Sequence, residues 1–171
     1  TFISDYDVMS TFCSPKSKLT FNTFDTVLES GKIVVLNINI SEYNMLSKII
    51  ATYLKLDFQT EIMTRLSKNI SKTSAFICDE YDKFASKTDG EFFSLSREAK
   101  CINIVSTQSY SSLKSTLKDN SSVKVIIQNL INKIWFRTDD SFTIEDAQKQ
   151  LGKEEKEKIS KSISESAKET K

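Results

Sequence analysis

Ala75-Phe76-Ile77-Cys78-Asp79-Glu80, followed by Tyr81-Asp82-Lys83-Phe84, decides how the rest of the chain is read. A short apolar run of this kind becomes a strand buried on both faces. It stops abruptly at two adjacent carboxylates. In an open α/β sheet, ligands collect at the carboxyl ends of the strands, so Asp79 and Glu80 would stand where chemistry happens. The outline is that of a Walker B element. There the aspartate reaches Mg²⁺, usually through water, and the glutamate polarises the water that attacks a γ-phosphate. An acidic strand terminus that merely caps the next helix fits the same letters.

Upstream, Phe21, Phe24, Val27 and Leu28 fall at helical spacing, and Gly31 is suited to close a short helix. The run from Lys32 to Ile40 reads as a strand, and Ser41 as an N-cap. From Glu42 to about Leu66 the pattern is helical, with Leu46, Ile49, Ile50, Tyr53 and Leu54 forming the expected apolar stripe. Strand, long helix and strand have the shape of a βαβ crossover, linked through a polar loop at 67–74. Residues 81–90 read as loop with a turn of helix, and 91–100 as a short helix turning Phe92, Phe93 and Leu95 toward the sheet. Cys101 to Val105 is a third strand, ending in Ser106-Thr107-Gln108-Ser109. A helical block carries Leu113, Leu117, Val123, Ile126, Ile127, Leu130 and Ile131, with a break at Asp119-Asn120. Ile134-Trp135-Phe136-Arg137 reads as a fourth strand, its aromatic residues in the core. Thr143 to Asp146 resembles a capping box ahead of a stripe of Ile144, Ala147 and Leu151 that ends at Gly152. The expected fold class is therefore α/β, a mostly parallel sheet with helices on both faces.

With 171 residues the chain is long enough for one domain with its own core. The formal charge is +1, from 24 basic and 23 acidic residues, which leaves no overall electrostatic footprint for nucleic acid. Histidine is absent, and with it go Ser-His and Cys-His nucleophile pairs and His-based zinc sites. Cys13, Cys78 and Cys101 fit neither a paired framework nor a metal spacing and read as reduced thiols. No apolar stretch approaches the ~20 residues needed to cross a bilayer. Among the three glycines, Gly31-Lys32 is followed by Ile33, with no glycine five residues before it, so there is no P-loop.

Three features now stand at strand ends or between strands: Asp79-Glu80, Thr107-Gln108 and, on the helix between, Arg97. A RecA-like ATPase needs a metal carboxylate, a water-orienting carboxylate, an amide near the γ-phosphate and an arginine for the next subunit. The runs GKIVVLNINISEYNMLSKIIATYLKLDFQ, FICDEYDKF, SREAKCINIVSTQSYSSL and RTDDSFTIEDAQKQLGKEEKEKISKSISES resemble the type IV secretion coupling proteins, the VirD4/TraG/TraD family of conjugative DNA-transfer ATPases. The resemblance covers nearly everything after about residue 20, and its most specific part is the ordered series DE, SREAK and STQS.

The resemblance implies a RecA-like P-loop ATPase fold lacking the Walker A strand. It implies Asp79 and Glu80 as the Walker B pair, with Asp79 on the metal side, and Gln108 facing the γ-phosphate. Arg97 becomes the candidate arginine finger across a homo-hexamer interface, with Lys100 and Arg137 close by in sequence. ATP and Mg²⁺ would serve the intact protein, whereas this chain alone, without a phosphate cradle, is expected to hold neither and to be inactive. DNA, relaxosome proteins and secretion-channel ATPases are the implied partners, and the inner face of the bacterial membrane is the implied location.

Residues 1–152 would form a partial ATPase domain, and the Lys/Glu/Ser-rich tail 153–171 would be helical or disordered. The chain begins with Thr1 rather than Met and reads as a piece of a longer protein. With the Walker A strand missing, strands 101–105 and 134–137 would present open edges, which lowers stability unless something covers them. Two other classes stay open. One is a non-catalytic module that binds relaxosome or channel proteins; the other is an unrelated enzyme or metal-binding α/β domain using Asp79, Glu80 and Asp82. Among the blander readings, Arg97 pairs with Glu91 or Glu98, Gln108 serves a turn, and Lys114, Lys118 and Lys124 line a solvated helix face.

Overall fold

A computed structural model describes residues 15–18, 21, 23–37, 44–68, 72–152 and 154. Helix α1 (Phe24–Ser30) ends as the glycine predicts: Gly31 takes a left-handed φ of 65°. Its N–H reaches Leu28 O at 3.3 Å, and the N–H of Lys32 reaches Val27 O at 3.2 Å. This pair of bonds satisfies carbonyls that the helix end leaves open. Helix α2 (Asn44–Thr64) is 21 residues long, about 31 Å at the usual rise. Strand β1 (Ser74–Cys78) follows, then a 3-10 turn (Tyr81–Lys83) and helix α3 (Asp89–Leu95).

Strand β2 (Cys101–Val105) lies parallel to β1, with Ser74 opposite Cys101 and Cys78 opposite Val105. The predicted helical block splits into α4 (Tyr110–Leu117) and α5 (Asn120–Asn129). Lys118 turns the chain with φ 54°, and Asp119 caps α5 by accepting the N–H groups of Ser121 and Ser122. Helix α6 (Ser141–Leu151) closes the described fold at Gly152.

The core lies on one side of this small sheet. Phe24 meets Phe58 edge to face and Phe58 stacks on Phe76, with ring centroids 5.5 and 5.7 Å apart, which ties α1 and α2 to β1. Ile62, Tyr81, Val123 and Ile126 are fully enclosed, and Phe92, Phe93, Leu113 and Leu117 complete the cluster.

Several expectations fail, each for a physical reason. The sheet has two strands among the described residues, not four. Residues 32–37 form no strand, and Ile33 is 91% exposed; residues 38–40 of that expected strand and the Ser41 cap lie outside the described residues. Residues 134–137 form none either, with Ile134 84% and Phe136 86% exposed, so Phe136 is not core. A strand exists only through its neighbour's hydrogen bonds, and neither segment finds one among the described residues. Among the described residues helices cover one sheet face only: Ala75, Ile77, Ile102 and Ile104 face outward, and Ile77 is 72% exposed.

Helix α2 turns a different face inward from the apolar stripe. Ser47, Ala51, Lys55, Phe58, Gln59 and Ile62 mark the inner side, while Ile49 and Tyr53 face solvent. The inner face is set by Phe58 and Ile62 and by a buried charge described below. The N-cap of α6 is Asp140 and not Thr143, since the Asp140 carboxylate accepts the Thr143 N–H at 2.9 Å. Thr143 is instead buried, and its hydroxyl oxygen accepts the N–H of Tyr110 at 3.0 Å. Cys78 and Cys101 are free thiols; Cys13 and nearly all of the tail 153–171 lie outside the described residues.

Candidate functional site at the carboxyl ends of the paired strands

Because β1 and β2 run parallel, the residues that follow them emerge together at one end of the sheet. Asp79, Glu80, Ser106, Thr107 and Gln108 line a shallow cleft of about 190 Å³ there. Three of the four residues expected at a site, Asp79, Glu80 and Gln108, are thus brought to one place. The parallel register accounts for this: Cys78 pairs with Val105, so both chains leave the sheet level with each other.

The strand ends are stitched together by backbone and side chain. Ser106 N–H donates to Cys78 O at 3.0 Å, and Tyr81 N–H donates to Ser106 O at 2.8 Å. The Ser106 hydroxyl donates to Asp79 Oδ1, which also accepts the Glu80 N–H at 2.9 Å. These two donors, Ser106 first and then the Glu80 backbone, hold the exposed Asp79 carboxyl below the ordinary carboxylate range. The other Asp79 oxygen has no partner among the described residues. Glu80 takes a left-handed backbone with φ 46° and ψ 42°, a conformation disfavoured for a residue with a Cβ.

Asp82 does not share the cleft. It is buried, accepts the Thr107 hydroxyl at 3.0 Å and pairs with Lys83 at 3.4 Å. Asp82 therefore braces the loop that carries Gln108 rather than joining Asp79 and Glu80 around an ion. Among the described residues no group of three His, Cys, Asp or Glu side chains is arranged to hold a metal.

Arg97 stands apart from the cleft. It is exposed in the turn ahead of β2, at the opposite end of the sheet from Asp79, and forms no ion pair with Glu91 or Glu98 among the described residues. A five-residue strand alone separates the two ends by roughly 16 Å. Lys100, with φ 54°, shares that turn, and Arg137 is exposed elsewhere.

Behind the cleft lies a charged cluster that the sequence did not announce. Asp89, fully buried at the start of α3, accepts from Lys55 Nζ at 2.6 and 2.7 Å and from Tyr81 OH at 2.6 Å. Gln59 Nε2 at 3.1 Å, Ser86 Oγ at 2.7 Å and Ser86 N–H at 2.9 Å complete its set. Burial works against the Asp89 charge, but the Lys55 ammonium and these donors outweigh it and leave the carboxyl below its ordinary range. A lysine at i+1 of a predicted apolar helix stripe gave no sign of this role.

The fold is an α/β assembly whose polar cleft sits at the ends of two parallel strands. The family model described as "TraM recognition site of TraD and TraG" matches residues 73–171, more than half of the chain and all of β1 through α6. The chain belongs to this family, the C-terminal region of TraG/TraD-type coupling proteins of conjugative transfer. No curated protein and no solved structure matches it. No helix among the described residues is long and apolar enough to cross a membrane.

Proposed function

We propose that the chain supplies the Walker B and sensor half of a nucleotide-hydrolysing conjugative coupling protein, whose phosphate cradle lies outside these 171 residues. The observation that carries this reading is the cleft that gathers Asp79, Glu80, Thr107 and Gln108 at the carboxyl ends of adjacent parallel strands, where nucleotides are bound in open α/β sheets. A RecA-like arrangement accounts for the rest of the architecture. The bare sheet face and the unpaired runs at 33–36 and 134–136 are the surfaces that a missing half would cover.

In this reading Asp79 faces the Mg²⁺ of Mg-ATP. Its properties fit that role: the carboxyl is held ionised by Ser106 and the Glu80 N–H, and one oxygen is left over for a hydrated cation. The bound ion would neutralise charge on the phosphates. Glu80 orients the attacking water, and Gln108 contacts the γ-phosphate from the neighbouring strand. Arg97, remote from its own cleft, is suited to reach the site of an adjacent subunit in a hexamer, since a residue acting in trans cannot also line the cleft in cis.

The intact protein would act on DNA and on relaxosome proteins at the inner face of the membrane, alongside the secretion-channel ATPases. The family's description favours a second reading, in which residues 73–171 recognise a TraM-like relaxosome protein without chemistry of their own. Calorimetric titration of Mg-ATP separates the two. The first reading expects no binding by this chain alone and binding once it is joined to a P-loop half, with turnover abolished by Glu80→Gln. Wild-type turnover and transfer in Glu80→Gln would leave the recognition reading standing.

A further inference from the structure

We propose that Tyr81, Asp89 and Lys55 form a latch that positions Glu80, an inference that rests on the nucleotide reading and extends it to residues outside the cleft. Glu80 is the only cleft residue with a left-handed backbone. Such a conformation persists only where its surroundings over-determine it. On one side the Glu80 N–H is bound by Asp79 Oδ1 at 2.9 Å. On the other side Tyr81 is held three times. Its N–H donates to Ser106 O at 2.8 Å, its hydroxyl donates to Asp89 at 2.6 Å, and the Lys55 ammonium stands 5.9 Å from its ring centroid.

The anchor itself is rigid. Asp89 is bound from α2 by Lys55 and Gln59 and from the preceding loop by Ser86. Lys55 also donates to Phe84 O at 2.8 Å and to Ser86 Oγ at 3.1 Å, so it ties down the loop that returns from the cleft. A buried ion pair is a weak source of stability compared with apolar side chains of the same volume. Its partners here converge instead on the residue next to Glu80. With Tyr81 fully buried and fixed at both ends, the turn at Glu80 is fixed too, and its carboxylate is kept at the cleft. None of the three lines the cleft, and only the Tyr81 backbone N–H reaches one of its lining residues, Ser106, so they are positioning residues and not catalytic ones.

Two measurements test the latch. The first is amide hydrogen exchange on this chain with Tyr81→Phe, which deletes one hydroxyl and preserves the buried ring. Faster exchange at Glu80 and Tyr81, with α4 and α5 unchanged, is expected; wild-type protection at both amides would overturn the latch. The second is Mg-ATP turnover by the chain joined to a P-loop half. Tyr81→Phe is expected to lower kcat about tenfold or more, as small misplacements of a reacting group do, with KM for ATP within about twofold. Asp89→Asn should lower kcat as well, and the double variant should be little worse than the slower single one. Wild-type kcat in Tyr81→Phe, beside an inactive Glu80→Gln, would overturn the inference and leave the nucleotide reading intact. An active Glu80→Gln would overturn both, whatever the exchange data say.

Discussion

Asp89 is the residue on which most polar contacts converge among the described residues, and its protonation should contribute to the acid limb of stability. Its folded pKa is depressed below the ordinary value of about 3.9. The unfolded chain therefore binds the proton first as pH falls. The stabilisation from Asp89 is fully present above that ordinary value and is lost as pH drops through the folded one. The urea midpoint should hold from neutrality to about pH 5 and fall below about pH 4, with a shallower acid limb in Asp89→Asn.

Removing the partner instead, by Lys55→Met, leaves a buried carboxylate without its cation and should cost about 3 kcal/mol at pH 7 in chemical denaturation. The cysteines behave in the opposite sense. Burial, first among the causes, pushes the thiols of Cys78 and Cys101 up to about 11, and the thiolate is the reactive form. At pH 8 the folded chain should alkylate with iodoacetamide at these two positions far more slowly than the urea-unfolded chain. Equal rates in the two states, read by mass spectrometry, would contradict the buried placement of Cys101 and the half-buried one of Cys78.

At the scale of elements, the tight joint is α3 against α5. Val123 and Ile126 are fully buried, and a Cβ built on Gly90 would stand 2.9 Å from Val125 Cγ1. Ile126→Ala should cost about 2–5 kcal/mol through lost transfer energy and an unfilled cavity. Gly90→Leu, which drives a side chain into the same joint, should cost about 1–3 kcal/mol. Denaturant midpoints at constant m-value check both.

These elements were legible because their information is local. The apolar runs 75–78 and 101–105 mark strands, and Gly31 and Gly152 stop helices. Asp119 likewise breaks the block at 113–131. What was not legible depends on partners. The run at 33–36 has every strand preference and no ladder to join among the described residues. The inner face of α2 is chosen by Asp89, 34 residues beyond Lys55, so its apolar stripe misled. The same holds for the cleft. Asp79, Glu80 and Gln108 are visible as polar punctuation after strands. Ser106, which holds Asp79, looks like any loop serine.

Among the described residues the sheet has one covered face and one uncovered one. Parallel sheets normally carry helices on both faces, yet Ile77, Ile102 and Ile104 look outward, and Ile33 and Val35 are exposed as well. Outward apolar side chains on one sheet face promote association, and among the described residues the outer edge of each strand has no strand partner and offers backbone groups to another chain. The chain should therefore self-associate as its concentration rises, and its melting should depend on concentration.

Outward residues contribute little to the enclosed core, so Ile77→Thr with Ile104→Thr should weaken self-association while shifting the stability of the monomer by only about 0.5 kcal/mol. Sedimentation velocity across a hundredfold dilution, with melts on the same samples, is the measurement. A sharp melt independent of concentration, together with a single monomeric species, would mean that the uncovered face needs no cover. It would also remove the main architectural reason for placing a second half beside this one. If dilution instead dissociates the wild type and the double variant stays monomeric, the outward face is the sticky one. Joining the chain to a P-loop half should then abolish the association by occupying that face.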